Sequence, residues 1–508
     1  MSQVSTGFLY TTEQVRQLDY IAINDFGIDG FDLMSRAAQA CFDEICQRWP
    51  DLTSMQVFCG GGNNGGDGYR IAELAHEHNI KVSVQSLKEP TTLTGDALKA
   101  WQSCEESGVF IKHFDPDASV TPEVTAEIIV DAMLGTGLSQ KIRSPYTEAI
   151  NQLNHSGKPV VAVDIPSGLC ANTGQPLGVA VKAALTVTFI GLKQGLVTGE
   201  GADYCGDLIF AGLDVPEAIY RQVTPSCRQI NKISLHGLIK PRRKSSHKGD
   251  HGHVLLVGGN HGMPGAVIMA AEAAIYSGAG RVTVATRESH VNTIVTRRPE
   301  IMAHGIHHET KHHTDLNKLL EGKNAVVIGP GLGQDDWACT LFSEALLSDC
   351  TIIIDADALN VLSENPQLRQ RRKFPIILTP HPGEAARLLR TSIHKVQKDR
   401  FASVKACCKK YDAITLLKGT GTLIGCGDQV SLCNAGNPGM AVAGMGDVLS
   451  GVLGALVAQG IEPYKAVQLA AWLHASAADL LVTQQGEIGL LSTELLPVIR
   501  KLLNQINT

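Results

Sequence analysis

Two three-layer α/β domains on one chain are the fold class this sequence predicts, and three observations predict it. Short apolar runs alternate with amphipathic ones along both halves, the pattern of repeated β-α-β units and of a mainly parallel sheet covered on both faces. The 508 residues exceed what one hydrophobic core organises, at a prior of roughly 150 residues per domain. Residues 223–250 break the alternation with Pro225, Pro241 and a polar run over 242–248. Domains over 1–222 and 251–508, joined by a connector over 223–250, are expected.

Composition narrows the function. Forty-four per cent hydrophobic residues with 19% charged and 5% aromatic make a globular rather than a disordered chain. A net charge of −6 supplies no broad positive field for a phosphate backbone, and the basic runs at 242–244 and 371–373 read as solvated loops, so nucleic-acid binding is not expected. The thirteen cysteines are scattered without a C-x-x-C pair and several sit in apolar runs, which suits reduced thiols. No basic-then-apolar signal pattern opens the chain, and the longest apolar stretch, 448–461, is too short to cross a bilayer. A cytoplasmic protein with no membrane partner is expected.

In the first half, helices are expected over 12–24, 32–48, 67–79 and 96–107, and strands over 55–59, 81–87, 127–131, 160–164 and 185–190. Ligands of such sheets collect at the carboxyl ends of strands. Three of those ends carry unusual chemistry. The strand ending at Cys59 runs into Gly60-Gly61-Gly62-Asn63-Asn64-Gly65-Gly66-Asp67-Gly68, where glycines let backbone amides approach an anion and the next helix offers its positive end. A second strand ends on Asp131, followed by Gly135-Thr136-Gly137-Leu138. A third ends on Asp164-Ile165-Pro166-Ser167-Gly168, which places a carboxylate and a hydroxyl at one tip. Taken singly, each reads equally well as a turn or a helix cap. Together they point to a site.

In the second half, strands are expected over 252–257, 281–285, 325–328, 351–354, 376–378 and 414–417, and a small-residue helix over 266–277. The strand ends lead into glycine-rich turns at 258–266 and 329–333, into Asp355-Ala356-Asp357, into His381-Pro382-Gly383-Glu384 and into Lys418-Gly419-Thr420-Gly421-Thr422. The strongest signal is Gly444-Met445-Gly446-Asp447, immediately before a helix expected over 448–459. Several free amides there would aim at one point, which suits a phosphoryl group. An Asp in a first helical turn is also an ordinary cap. With the other loops beside it, the mechanistic reading is that the amides stabilise a transferring phosphoryl while Asp447 accepts a proton from an attacking hydroxyl.

The run Asn63-Asn64-Gly65-Gly66-Asp67-Gly68, with Asp131, Gly135 to Leu138 and Asp164-Ile165-Pro166-Ser167-Gly168, resembles the NAD(P)H-hydrate epimerase family over about residues 10–220. The resemblance implies a Rossmann-like domain that interconverts the R and S epimers of a hydrated nicotinamide nucleotide, NADHX or NADPHX. By matching position, Asn63, Asn64, Gly65, Gly66 and Asp67, with Gly135, Thr136, Gly137, Leu138, Ser139, Gln140 and Lys141, would line the nucleotide. Asn64, Asp131 and Ser167 would ligate a potassium ion, and Asp164 would be the acid/base carboxylate and touch the hydrate. Cys170 departs from the family's usual Asp or Asn in the loop after Ser167.

The loops of the second half resemble the ribokinase-like group, and together with Asn437-Pro438-Gly439-Met440 they are most similar to NAD(P)H-hydrate dehydratase over about residues 235–505. That resemblance implies that a nucleoside phosphate phosphorylates the ring hydroxyl of the S hydrate, that phosphate then leaves, and that NAD(P)H is restored. Ala266, Gly331, His381 and Asp447 would contact the hydrate. Lys418, Gly419, Thr420, Gly421, Thr422 and Gly446 would hold the adenine nucleotide. Met445 stands where related kinases often carry a smaller residue or Thr, which matters little when the donors are backbone amides.

The fused layout resembles the bacterial type, which implies ADP rather than ATP as donor and AMP with phosphate as products. Magnesium is expected with the phosphates. A homo-oligomer is the expected assembly. Other readings stay open from the residues alone: the second half as a small-molecule kinase, such as a vitamin-precursor kinase, and the first as a non-catalytic nucleotide-binding module. The histidine-rich stretch over 307–313 includes i, i+4 spacing but no second ligand cluster, and reads as a solvated loop rather than a metal site.

Overall fold

The computed structural model of the chain describes residues 7–116, 126–138, 140–310, 313–371 and 373–507. Its contacts divide into two compact units, one ending at Arg228 and one beginning at Gln229. The connector expected over 223–250 is partly folded: helix Lys232–Leu235 interrupts it, and Ile230 and Leu235 are buried in the core of the carboxyl unit.

In the amino unit, strands β1 (Ser54–Cys59), β2 (Lys81–Ser86), β3 (Phe110–His113), β4 (Ile128–Ala132), β5 (Val160–Val163), β6 (Leu185–Phe189) and β7 (Asp207–Ala211) form one sheet. Their order is β3-β2-β1-β4-β5-β6-β7, and every neighbouring pair runs parallel. The central β4 and β5 are buried at every residue, as continuous apolar runs covered on both faces must be. The chain winds one way from β1 to β3 and the other way from β4 onward. Between β1 and β4, therefore, a crevice opens outside the carboxyl ends, where such sheets bind ligands.

The glycine-rich run after β1 is not the loop the sequence suggested. The helix begins at Asn63 and continues to Glu77, so Asn63 to Gly68 form its first turns. Here the glycines serve packing: a Cβ at Gly68 would lie 2.5 Å from Ala132 Cβ and 2.8 Å from Cys59 Sγ, so only a bare backbone lets the helix lie this close to the sheet.

The carboxyl unit contains β8 (His253–Val257), β9 (Arg281–Thr286), β10 (Met302–Gly305), β11 (Ala325–Ile328), β12 (Thr351–Ile354), β13 (Ile376–Leu378), β14 (Ile414–Leu417), β15 (Thr422–Cys426) and β16 (Gln429–Cys433). These lie in the order β16-β15-β14-β13-β12-β11-β8-β9-β10, parallel from β10 to β14 and closed by an antiparallel β14-β15-β16 meander. The winding direction changes between β8 and β11. The loops that follow these two strands meet: Gly259 N donates to the Pro330 carbonyl at 3.0 Å and Asn260 N to that of Gly331 at 2.6 Å.

The helix Met445–Ala458 is apolar almost all round and buried along its length. Glycine makes that possible. A Cβ at Gly451 would lie 1.9 Å from the Ala270 carbonyl on helix Pro264–Tyr276, and one at Gly454 would lie 2.6 Å from Val327 Cγ2 on β11. Wedged against helix and sheet, the helix has its amino end fixed in place. Helix Pro463–Gln485, longer than the 448–461 stretch, is long and apolar enough to cross a membrane, but 67% of its most apolar window is buried inside the protein. Of the histidine-rich stretch, His308–Thr310 pairs antiparallel with His313–Thr314 instead of forming a loop, while 311 and 312 lie outside the described residues. None of the thirteen cysteines is joined in a disulfide.

Candidate active sites

At the switch point of the amino unit, Asp131 lies fully buried one residue from the carboxyl end of β4. Its Oδ2 accepts from Ser167 N at 2.8 Å, and its Oδ1 from Ser167 Oγ at 2.6 Å and Met133 N at 3.2 Å. Burial pushes the carboxyl up to about 6 against the pull of these donors. Ser167 Oγ in turn accepts from Leu134 N at 2.8 Å, so the loops after β4 and β5 are tied together. The loop after β1 joins them through Gly60 N, which donates to the Ala132 carbonyl at 3.0 Å.

Asn64 sits in this junction with both its Oδ1 and Nδ2 buried and without a partner, and a Cβ at Gly135 would be 3.4 Å from Asn64 Cβ. A buried amide oxygen without a partner, packed against Gly135 in the loop that Ser167 ties to Asp131, is a donor of the kind a hard monovalent cation takes. The residues fit potassium. Of the turn over 135–141, Thr136 and Leu138 are half-buried, Gly137, Gln140 and Lys141 are exposed, and Ser139 lies outside the described residues.

Asp164 follows β5 in the left-handed region at φ +68. Its Oδ1 accepts from Phe189 N at 3.1 Å, from Thr188 Oγ1 at 3.3 Å and from the ammonium of Lys193, a residue buried completely. Two more carboxyls face this pair. Burial pushes Asp19, on helix Thr12–Tyr20, up to about 6, with Lys193 working against the rise and Asp164 adding to it. Burial raises Asp67 well above the usual carboxylate range, and Asp164 and Asp19 add to the rise. Three acids thus share one cation.

In the carboxyl unit, Asp355 follows β12 directly and is buried. Its Oδ1 accepts from Thr379 Oγ1 at 2.8 Å and Lys418 Nζ at 2.9 Å, and its Oδ2 from Ser450 Oγ at 2.7 Å. Burial opposes its ionisation, but Lys418 and the two hydroxyls outweigh it and hold the carboxyl below its usual range. Lys418 Nζ also lies 3.9 Å from Glu384. For the ammonium, the loss of solvent is outweighed by Asp355 and Glu384, and its pKa is raised.

Gly444 begins the following helix at φ +87, where a Cβ would meet Met269 Sδ and Ser492 Oγ at 2.7 Å. Gly446 faces Lys418: a Cβ there would be 3.2 Å from Nζ and 3.7 Å from Asp355 Oδ2. The first amides of a helix have no acceptor within it, so this turn is open to an anion. Asp447, in the same turn, is pushed up to about 7 by burial and by Asp355, with Lys418 pulling it back. Glu384 is likewise raised to about 7 by burial.

His381 caps helix Pro382–Leu389, its Nδ1 accepting from Gly383 N at 3.0 Å, which leaves the hydrogen on Nε2, 3.3 Å from Glu384 Oε1. Burial, Lys418 and Arg387 depress its pKa. Ala266 and Gly331 adjoin, since a Cβ on Gly331 would be 3.2 Å from that of Ala266. Gly419 and Thr420 are exposed, Gly421 is buried, and Thr422 already belongs to β15. Among the described residues no three acidic, thiol or imidazole groups form a protein-only metal cage. The carboxylates Asp357, Glu384 and Asp447 suit magnesium only as a companion of phosphates.

Sequence reasoning missed Asp19, Lys193, Arg400 and the anchoring role of Asp355. Arg400 is fully buried and donates to the Leu417, Lys418 and Gly421 carbonyls at 3.3–3.4 Å, and to Gln397 Oε1 at 2.9 Å. It shapes the 417–421 loop from beneath. Asp479 was missed too: it accepts from Gly436 N at 2.9 Å and Asn437 Nδ2 at 2.8 Å, and so fixes the Asn437-Pro438-Gly439 turn.

Fold and sites together define a two-site α/β enzyme, each site set at a switch-point crevice and furnished with carboxylates around one lysine. The pattern described as YjeF-related protein N-terminus matches residues 30–195, and that described as NAD(P)H-hydrate dehydratase matches 254–501. The chain is 44% identical to the bifunctional NAD(P)H-hydrate repair enzyme Nnr of Coxiella burnetii, over 98% of this chain and 99% of that one, and 43% identical to that of Vibrio cholerae, over 97% and 98%. It belongs to the bifunctional NAD(P)H-hydrate repair enzymes, which join an epimerase domain to a dehydratase domain. A crystal structure of a ribokinase-like superfamily protein from Enterococcus faecalis, 29% identical, covers 55% of this chain and 96% of its own with a TM-score of 0.50.

Proposed function

We propose that the amino unit exchanges the R and S hydrates of NADH and NADPH with Asp164 as acid and base, and that the carboxyl unit dehydrates the S hydrate with Asp447 as base and ADP as phosphoryl donor. In the amino unit Asp164 takes the proton of the ring hydroxyl as the adjoining carbon–nitrogen bond breaks to leave an aldehyde and gives that proton to the nitrogen; the nitrogen then closes on the other face of the carbonyl, and the proton returns to the oxygen by the same carboxylate. Asn64, Asp131 and Ser167 would hold a potassium ion, which supplies positive charge for the nucleotide's phosphates.

In the carboxyl unit the ring hydroxyl attacks the terminal phosphoryl of ADP. A P–O bond forms to the hydroxyl oxygen, the bond to AMP breaks, and Asp447 takes the hydroxyl proton. The Gly446 and Asp447 amides and the Lys418 ammonium meet the charge on the transferring group. Hydroxide leaves poorly and phosphate well, so the ring nitrogen's lone pair then expels phosphate, and loss of a ring proton restores the dihydronicotinamide. Magnesium, carried by the phosphates, supplies charge neutralisation there.

One observation carries this reading: Asp447, its carboxyl pushed up to about 7 by burial, stands in the first turn of a buried helix where Gly446 faces Lys418. The test is to supply mixed hydrate epimers with ADP, and then with ATP, to the wild type and to Asp447→Ala. Return of dihydronicotinamide absorbance together with released phosphate in the wild type alone supports the proposal, and a phosphorylated product that accumulates would mark a kinase instead.

A further inference from the structure

Asp164 is held by one oxygen only. Phe189 N, Thr188 Oγ1 and Lys193 Nζ all reach its Oδ1, while no partner reaches Oδ2 among the described residues. The ammonium is saturated as well. Its three hydrogens face three acceptors, Asp164 Oδ1, Thr188 Oγ1 at 3.0 Å and the Phe189 carbonyl at 3.0 Å. A lysine so engaged has no hydrogen left to give a substrate without breaking this cage, and it is buried completely. Lys193 therefore acts through Asp164 rather than on the ring.

We propose that Lys193 is the positioning residue of the epimerase site: with Thr188 it fastens Asp164 by Oδ1 in its left-handed backbone conformation and presents Oδ2 to the hydrate. This rests on Asp164 being the acid/base group. The charges facing that group are Asp19 from helix Thr12–Tyr20, Asp67 from helix Asn63–Glu77 and Lys193 itself. Two of the three are acids. Without Lys193, Asp164 would share its crevice with carboxyls alone, with no cation to offset their charge.

The full chain is assayed for epimer exchange as Lys193→Met, Thr188→Val and Asp164→Asn, with thermal unfolding of each recorded. Lys193→Met should slow exchange about a hundredfold at neutral pH, the scale of losing a working base. The KM for the hydrate should change less than about threefold, because an interaction made in the transition state is what is lost. The acid limb of the rate should move to higher pH. Thr188→Val, which removes one clamp and keeps the shape, should do the same to about fivefold. Methylammonium added to Lys193→Ala should restore part of the rate, which a merely structural lysine would not allow.

A Lys193→Met protein that unfolds like the wild type, exchanges within twofold of it and keeps its acid limb overturns the proposal. If that variant does not fold, an unchanged rate and limb in Thr188→Val overturns it instead. Exchange that survives Asp164→Asn sinks the underlying assignment of the base. Loss in Asp164→Asn without change in the other two sinks only the role of Lys193.

Discussion

Lys193 in the amino unit and Lys418 in the carboxyl unit each follow the carboxyl end of a strand and each bind an aspartate at another strand's end, yet they are held differently. Lys193 is sealed in and spends every hydrogen on protein acceptors. Lys418 is 22% exposed, with one hydrogen bond to Asp355 and a longer pairing to Glu384. The difference teaches what each cation is for. A saturated ammonium sets the state of a neighbouring base. One with hydrogens to spare can meet an incoming phosphate, and its neighbour Gly446 has no side chain to stand in the way.

This contrast breaks most sharply at the two proposed bases. Asp447→Asn should lower the dehydration rate about a thousandfold, within the usual worth of a general base, and leave epimer exchange as it was. The check is return of dihydronicotinamide absorbance with ADP, beside exchange followed by chromatography of the epimers. Asp164→Asn should do the converse, slowing exchange about a hundredfold while the S hydrate is still repaired at the wild-type rate. Equal damage to both activities in either variant would mean that the crevices do not work separately.

Lys418→Met sharpens the comparison through pH. Asp447 works ionised, so dehydration should rise as pH passes about 7 in the wild type. Lys418 is what pulls that value down. Its loss should therefore carry the acid limb to higher pH and raise the KM for ADP about tenfold, as expected when a charged contact to phosphate is lost. A limb that stays in place would contradict the assignment of Lys418 as the balancing charge.

Smaller effects test the scaffolds. Arg400→Met leaves the Leu417, Lys418 and Gly421 carbonyls without their donor and should cost about 2–4 kcal/mol in urea unfolding of the carboxyl unit. Ser450→Ala removes one donor to Asp355 and should cost about 1–2 kcal/mol. If the two ranked the other way, the loop would not depend on Arg400.

The sequence made the central strands of the carboxyl unit plain, and those expected over 325–328, 351–354, 376–378 and 414–417 are where the structure has them, because buried parallel strands are short unbroken apolar runs. Edges were harder. Phe110–His113 and Met302–Gly305 are largely unburied and carry no such run, and neither was expected. The Thr422–Cys426 and Gln429–Cys433 hairpin had a signal in Gly427-Asp428, a turn pair between apolar runs, that went unused.

The site followed the same rule. Residues in glycine-rich strand-end loops, such as Asp131, Asp164 and Asp447, were legible because turn chemistry surrounds them. Asp19 lies near the end of an ordinary amphipathic helix, Lys193 in an apolar run, between Leu192 and Gln194, and Arg400 at the start of another helix. Only the winding of the chain brings them to the crevices, and nothing local in the sequence records that.

The most direct measurement supplies the pure R hydrate and ADP to three proteins, following both the epimers and the returning NAD(P)H. Wild type should repair all of it. Asp447→Asn should convert R to S at the wild-type rate and return NAD(P)H about a thousandfold more slowly, and Asp164→Asn should convert R about a hundredfold more slowly while repairing added S at the wild-type rate. Repair of R at the wild-type rate by either variant, or loss of both steps in one of them, would contradict two separate sites on one chain.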